Sequence, residues 1–569
     1  MLKKNILLIL LISFCLQNAF SRSEQDLINA GSPLYDEICF ISSESGIANF
    51  ADNEPISIQE AKVYLSEIDV STLSEGAKKS YEEIMAFFEE GNLGFKSDLL
   101  NFGVETQINT SLFYKTNEEV DWGYDRFERK PFLSIPVCLS VSDFISMRME
   151  LAVAQNKNAS LQNDNYSNIP YKADLFDINF PDIGYFSSGK MLGKKTGINF
   201  RLGKGSRNVG RSLSGSVIQS DHLTGISYAE LNLFSPSIRY NANISQFGVD
   251  RYYYTHQLDL RFFKKFTFTV IESMFVNAPL ELRFMNPFTI YHGMTPWRDY
   301  DGTKYDSESH TCAYLGLKFQ YVPVPNLRLY GLYAMTQFQT AYERENWPND
   351  TTPNGIGLQG GAEYFKAFKD GRFQFVLEGS YTDPYLYIKE SPNWSLVHTF
   401  AENMGDVENP FYEWIGSPNG PDTVSAEAKI GYKVPQKYSV DLIYLFMAKG
   451  EMSSDNVFKN WTDSTTGKYA WGGVYTHNGD EENLDKTDWA YPDSSLQGKD
   501  EAKRRQNLVT PSGIPEYVNR LSVRASYYLK DNICVLVQPS LVFIQNLNHN
   551  TEKNAFGFEM VASCSIKLF

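Results

Sequence analysis

The feature that most constrains this chain is a two-residue alternation of apolar and polar side chains, recurring over several hundred residues. In Phe373-Gln-Phe-Val-Leu-Glu-Gly-Ser-Tyr381 the side chains of Phe373, Phe375, Leu377 and Tyr381 share one face. Leu315, Leu317, Phe319 and Tyr321 repeat the pattern, as do Tyr438, Val440, Leu442, Tyr444 and Phe446. Period two places such side chains on one surface of an extended strand. After the leader, no stretch approaches the roughly 18 apolar residues of a membrane helix. Many half-apolar strands without such a helix predict a closed barrel whose outer wall faces lipid.

Composition fits that architecture. Hydrophobic content is 42% and mean hydropathy is −0.34, values that would ordinarily describe a soluble globular chain. A transmembrane barrel evades that expectation because only alternate residues meet lipid. Aromatic residues at 14%, with 35 Tyr and 39 Phe, suit a wall with two membrane–water boundaries. A formal charge of −16 argues against nucleic acid or an anionic lipid surface as the main partner.

The first 21 residues read as an export signal. Lys3 and Lys4 precede an apolar run, Ile6 to Leu16, that is too short to span a bilayer, and Ala19 and Ser21 occupy small-residue cleavage positions. Cys15 offers a lipoprotein alternative, against which the bulky Phe14 stands. The other cysteines, Cys39, Cys138, Cys312, Cys534 and Cys564, are scattered and odd in number, so they build no complete disulfide framework. Cys564 falls among the apolar positions of the last strand and reads as a small hydrophobe.

Residues 22–98 differ from the rest of the chain and predict a small helical, periplasmic segment. Ser57-Ile-Gln-Glu60 has capping-box spacing and opens a stripe of Ile58, Ala61, Leu65 and Ile68. A second helix carries Ala77, Tyr81, Ile84 and Phe88, with Gly91 as its stop. Two readings stand: the segment caps the barrel's periplasmic mouth, or it docks a periplasmic partner. Residues 99–569 then form the barrel, about 470 residues at roughly 25 per strand, or about 16–18 antiparallel strands. Hairpins are visible where Leu258–Phe262 meets Phe266–Val270 across Lys264-Lys265, and where Val322-Pro-Val-Pro-Asn326 separates two alternating runs. The longest polar connection, near 449–515, holds Trp461, Trp471 and Trp489. Shorter ones surround Trp297 and Trp347. In the last strand Phe558, Met560, Ala562, Cys564, Ile566 and Leu568 alternate, but terminal Phe569 is out of phase.

Catalytic patterns are absent: there is no HExxH, no Gly-x-Ser-x-Gly and no metal-spaced Cys/His cluster, so no enzyme, cofactor or metal is expected. Gly355-Ile-Gly-Leu-Gln-Gly360 formally matches a dinucleotide fingerprint, but its flanks read as barrel strands.

Three stretches resemble one family. Glu281-Leu-Arg-Phe-Met-Asn-Pro-Phe288, followed by Tyr291-His292, is similar to the E-x-R-x-x-N-P-F segment of Wzi-type capsule-assembly proteins and their gliding-motility relatives. Leu317–Tyr321 with Asn326–Gly331 resembles that family's next hairpin. Gly416-Ser-Pro-Asn-Gly-Pro-Asp422, containing Gly416, Gly420 and Asp422, resembles its glycine–proline–aspartate turn. The family's Gly-Arg-Gln…Trp-Gly-Pro-Gly stretch is replaced here by Gly203–Gly215, which lacks the tryptophan. The resemblance implies an outer-membrane barrel of about 18 strands, inserted by the outer-membrane assembly machinery, that attaches surface polysaccharide rather than transporting it.

The residues support binding candidates of their own. Sugars stack on aromatic faces and hydrogen-bond carboxylates, amides and guanidinium groups. Trp297, Trp461, Trp471 and Trp489 are therefore candidates for polysaccharide, with rim or girdle packing as their alternative. Arg201, Lys204, Arg207 and Arg211 form a basic stretch able to grip carboxylate or phosphate. Their alternative is a polar lumen whose acids they balance. Glu281 and Arg283 share parity on a predicted strand, as a lumenal ion pair organising Asn286-Pro287. A porin-like channel and a surface adhesin are the competing functions.

Overall fold

The computed structural model describes residues 22–89, 93–97, 99–120, 127–161, 164–172, 175–177, 181–291, 311–346, 353–388, 395–400, 411–452 and 507–568. Among them the strands close into one antiparallel barrel of 18 staves. The first, β1, is in two pieces, Leu100–Val104 and Gln107–Lys115. It is followed by β2 (Leu133–Val141), β3 (Ile145–Val153), β4 (Gly184–Met191), β5 (Gly197–Gly205) and β6 (Ile226–Phe234). Next come β7 (Ile238–Gly248), β8 (Arg251–Phe262), β9 (Phe266–Asn277), β10 (Thr311–Tyr321), β11 (Leu327–Gln337) and β12 (Gly355–Ala367). The wall is completed by β13 (Arg372–Thr382), β14 (Thr423–Val434), β15 (Tyr438–Lys449), β16 (Glu516–Lys530), β17 (Ile533–Gln545) and β18 (Asn554–Lys567). β18 pairs back onto β1, Lys567 opposite Gln107, and a short strand, Leu93–Lys96, continues below it along Leu100–Val104.

The alternation sorts the wall as period two requires. Phe375, Leu377, Phe319, Tyr321, Val440, Leu442 and Tyr444 are all exposed on the outside, where a bilayer would solvate them. Residues of the opposite parity are buried, and many are charged: Arg201, Glu230, Arg239, Asp259, Lys318, Arg328, Glu363 and Arg372. The Gly355–Gly360 glycines lie within β12, so the nucleotide-fingerprint match is a stretch of barrel wall. Gly361 sits where an added Cβ would come within 2.4 Å of the Tyr330 hydroxyl.

Turns at one end are short, as at 263–265, 322–326, 368–371 and 435–437, whereas most connections at the other end are long. The N-terminal segment occupies the short-turn end. It holds three helices rather than the two expected: α1 (Leu34–Glu44), α2 (Ile58–Leu65) and α3 (Glu75–Glu89). Ser57 caps α2, its side chain accepting from the Glu60 N–H at 3.2 Å. The extra helix, α1, is buried nearly all round and so carries little amphipathic signal in its sequence. The segment does not hang free. Its apolar core, including Ile38, Phe40, Ile58, Ile84 and Phe88, takes in Phe234 and Phe365 of the wall. Lys264 O accepts from the Ala48 N–H, and Ser43 O from the Asn326 N–H.

Candidate functional site

The lumen is filled from both ends, by elements that reach across it to inward-facing charges. From the short-turn end, Glu60 of α2 meets Arg201 at 3.2 Å and Arg239 at 2.9 Å, all three fully or almost fully buried. Asp52 meets Lys318 at 2.7 Å. Glu37 of α1 pairs with Arg372 and Lys433. A carboxylate taken out of water needs such partners, and each helix supplies acids where the wall supplies bases.

From the long-loop end, residues 206–225 fold inward. Asn208–Val209 pairs as a two-residue sheet with Asn53–Glu54, so this loop and the N-terminal segment join inside the ring. Above them, Tyr314 donates to Val217 O and Ile218 O at 3.1 and 2.8 Å, and Tyr387 stacks on Trp414 with centroids 6.2 Å apart. These residues belong to a buried cluster with Ile218, Phe247, Phe275 and Leu386.

Between these layers and the wall of β1–β3, β5, β11–β14, β16 and β18 lies a chamber of about 1790 Å³, room for on the order of 60 waters. Most of the residues that line it are polar or charged, of both signs, among them Asn109, Glu150, Arg211 and Lys429, with their apolar stems and Phe113, Phe127 and Leu161 between them. At the long-loop rim Lys157, His222, His398, Glu413 and Trp414 converge. Lys157 pairs with Glu413 and donates to His222 O at 2.9 Å. His398 Nδ1 is 3.9 Å from Glu413, and among the described residues His222 Nδ1 has no hydrogen-bond partner. Burial, reinforced by Lys157, holds His222 down at about 3, and burial with Arg251 does the same to His398. Both imidazoles are therefore neutral at pH 7, able to donate and accept toward a neutral hydroxylated ligand. Nearby, burial and then Asp177 push Asp182 up to about 6.

The sequence-derived candidates fall in different places. Arg201 is fully buried, with Glu60, Glu230 and Pro55 O as partners. Arg207 is buried on Glu230, and Lys204 lies 3.7 Å from Asp182. Arg211 lines the chamber, bridging Asp36 of α1 and Glu363 of β12 at 2.7 and 2.6 Å. Trp297, Trp461, Trp471 and Trp489 lie outside the described residues, as do most of 449–515 and Phe569.

Gly416 packs so closely that an added Cβ would lie 2.2 Å from the Tyr387 hydroxyl. Gly420, at φ +76°, lies under Trp414 Nε1. Asp422 is fully buried at φ +59°; its carboxylate accepts from Met452 N, Ser512 N and the Ser512 hydroxyl. It ties together both ends of the long 449–515 connection. The rim cluster has no signature in the sequence because its members come from three connections, with no local spacing to reveal them.

One expectation is overturned. Glu281 and Arg283 do pair, at 2.6 Å, but not on a strand and not in the lumen. Leu282–Met285 is a 3₁₀ turn lying on the outer wall, where Phe284 and Tyr291 pack on the outward side chains Tyr254, Met274 and Val276. Pro287 lacks an N–H and Asn286 turns its side chain back to the Phe288 N–H, so this stretch cannot continue a ladder.

The chain is similar in fold to solved structures of other proteins. Wzi of Escherichia coli, described as an outer membrane protein involved in group 1 capsule assembly and a carbohydrate-binding β-barrel, aligns over 95% of this chain and 99% of its own, at 10% identity and a TM-score of 0.52. The fold is that of Wzi. The outer membrane channel DcaP of Acinetobacter baumannii also aligns, over 84% of this chain and 99% of its own, at 10% identity and a TM-score of 0.33. By sequence, the chain matches no protein-family model and no curated protein.

Proposed function

We propose that this protein resides in the outer membrane and holds exported polysaccharide at the cell surface by binding, without catalysis. The observation that carries the reading is the doubly filled lumen. A ring crossed by a segment fixed through Glu60–Arg201, Asp52–Lys318 and Glu37–Arg372 pairs leaves less room for solute than an empty barrel of the same strand number. Its long-loop end instead presents an aromatic, imidazole, ammonium and carboxylate rim over a hydroxyl-rich chamber. That inventory suits a glycan, which needs stacking surfaces and bidirectional hydrogen bonds. Likeness in fold to a carbohydrate-binding barrel supports the same reading. The four tryptophans named from the sequence are further candidates for the same ligand. Residues 22–98 would then face the periplasm, where a partner has access to α3.

The test is a clean deletion strain in which cell-bound and shed polysaccharide are compared. Polymer still made but found in the medium is the expected result. Unchanged cell-bound and shed pools would sink the proposal. A large steady conductance of the purified protein in planar bilayers would favour a channel instead.

A further inference from the structure

The two elements that fill the ring meet at one joint. Residues 206–225 enter from the long-loop end, and Asn208–Val209 pairs with Asn53–Glu54 of the N-terminal segment. The Gly210 N–H crosses the same joint to Asp52 O at 2.8 Å. Beside this short ladder two carboxylates, one from each element, close on a single residue. Glu54 Oε2 accepts from the Gly31 N–H at 2.7 Å. Asp221 packs on the same glycine so closely that an added Cβ would come within 2.6 Å of its Oδ2. Gly31 is at φ +73°, so both its backbone and its surroundings call for glycine.

What this pair lacks is a cation. Other buried acids of the segment are each answered: Glu37 by Arg372 and Lys433, Asp52 by Lys318, Glu60 by Arg201 and Arg239. Glu54 is buried, and among the described residues neither it nor the half-buried Asp221 has an ion pair. The groups around them are committed elsewhere or carry the same sign. Asp36 is held by Arg211 at 2.7 Å, and the Tyr35 hydroxyl donates to Ile28 O at 2.6 Å. Arg201 reaches Pro55 O, but Glu60 and Glu230 share its charge. Asn208 offers Glu54 only a neutral amide, and the charge acting on Asp221 from the β1–β2 connection is another acid, Glu128. Two carboxylates placed this way ionise together only at a cost, since burial strips solvent from the charge and each repels the other. Burial, then Asp221, accordingly pushes Glu54 up to about 8, and burial raises Asp221 as well.

We propose that Glu54 and Asp221 form a proton-sensitive latch between the N-terminal segment and the 206–225 loop, closed while the pair holds a proton and loosened once both carboxylates are charged. The latch does not depend on what the chamber binds, although Gly31, Glu54, Asn208 and Asp221 all line it. The closed joint keeps a proton that the open joint releases, so closure is strongest in acid and is lost as pH rises toward about 8. Hydrogen exchange of the full-length protein in detergent micelles, resolved to single amides by mass spectrometry, tests this at the Gly210 and Gly31 N–H groups. After correction for the pH dependence of the exchange chemistry itself, their opening constants are expected to rise about threefold to tenfold per unit between about pH 6 and pH 8. Amides of β16 and β17 should show no such slope. Glu54→Gln keeps the shape and an acceptor for Gly31 but cannot titrate, so the slope should vanish. Asp221→Asn removes the like charge and should move the rise to lower pH. A flat profile in the unaltered protein would overturn the proposal, as would a slope that survives in Glu54→Gln. A rise shared by β16 and β17 would overturn it too, by assigning the titration to the whole barrel. If Glu54→Gln does not fold, Asp221→Asn decides alone, and an unshifted rise there counts against the latch.

Discussion

Replacing Glu60 by Gln isolates the contribution of one buried carboxylate to holding the N-terminal segment in the ring. Glu60 is fully buried and bonds Arg201, Arg239 and the Tyr64 hydroxyl, the last at 2.8 Å. Breaking a buried ion pair by removing one partner costs about 3–5 kcal/mol when the remaining charge is left alone. Here neither cation is left alone. Arg201 keeps Glu230 at 3.2 Å, and Arg239 keeps Asp259 at 3.7 Å with Asn232 at 3.1 Å. Glutamine also preserves shape and one acceptor, so a loss of about 2–3 kcal/mol is expected. That is a roughly 30- to 150-fold larger population with the segment unseated. Cys39, a free and fully buried thiol on α1, reports that opening directly. Its alkylation rate under native conditions, resolved by mass spectrometry, scales with the open population. The E60Q variant is expected to raise the Cys39 rate by that factor while Cys312, buried on β10, stays slow. An unchanged Cys39 rate would refute the claim that these pairs hold the segment. A parallel rise at Cys312 would mean that the whole barrel had loosened instead.

Other expectations rest on single contacts. Burial, then Asp221, pushes Glu54 up to about 8 from 4.5, so the folded chain keeps a proton that the unfolded chain has released. Seating of the segment is therefore strongest below pH 4.5 and weakens as pH rises through about 8, by up to a few kcal/mol; Cys39 alkylation, corrected for thiolate fraction, should follow that slope and lose it in Glu54→Gln. Asp422→Ala removes three accepted hydrogen bonds at the base of the 449–515 connection and should cost about 2–3 kcal/mol locally, read as faster protease nicking there with the barrel still intact on unheated gels. Gly416→Ala forces a Cβ into the Tyr387 hydroxyl and Val217 O, and should abolish the heat-modifiable folded band or shift its melting by several degrees. Trp414→Ala empties a buried place in the cluster stacked on Tyr387 and should cost about 3–5 kcal/mol, read as a lower melting temperature of the folded band; unchanged melting would refute a supporting role for that stack.

The wall is legible in the sequence because its signal is local. Phe373, Phe375 and Leu377 announce their lipid-facing side within five residues, and the Val322–Asn326 turn appears between β10 and β11. What fills the ring lies outside any local pattern. Glu37 and Arg372 are 335 residues apart, and nothing near either names the other. A physical clue is nevertheless present: inward positions such as Arg201, Arg239, Lys318 and Arg372 carry more fixed cations than an empty channel requires, and partners for them wait in an acidic N-terminal segment. The Glu281–Arg283 pair is readable from proximity, but its side of the wall is not. Parity applies only to strands, and Asn286-Pro287 ends any strand there. The rim of Lys157, His222, His398 and Glu413 is assembled by loop folding and leaves no mark in spacing.

The seam of the barrel bears on how such a molecule can be made. Gln107–Lys115 pairs with Asn554–Lys567, so the ring is sealed only when the final strand arrives. The segment it encloses precedes every strand of the wall in the chain. For the whole interval, Glu37, Asp52 and Glu60 await cations that lie up to 396 residues downstream, as Lys433 does from Glu37. The segment's apolar core is likewise incomplete until Phe234 and Phe365 of the wall arrive to finish it. Enclosure is thus a late event imposed by chain order, and a chain halted short of β18 presents a soluble acidic knob beside an open, positively lined sheet.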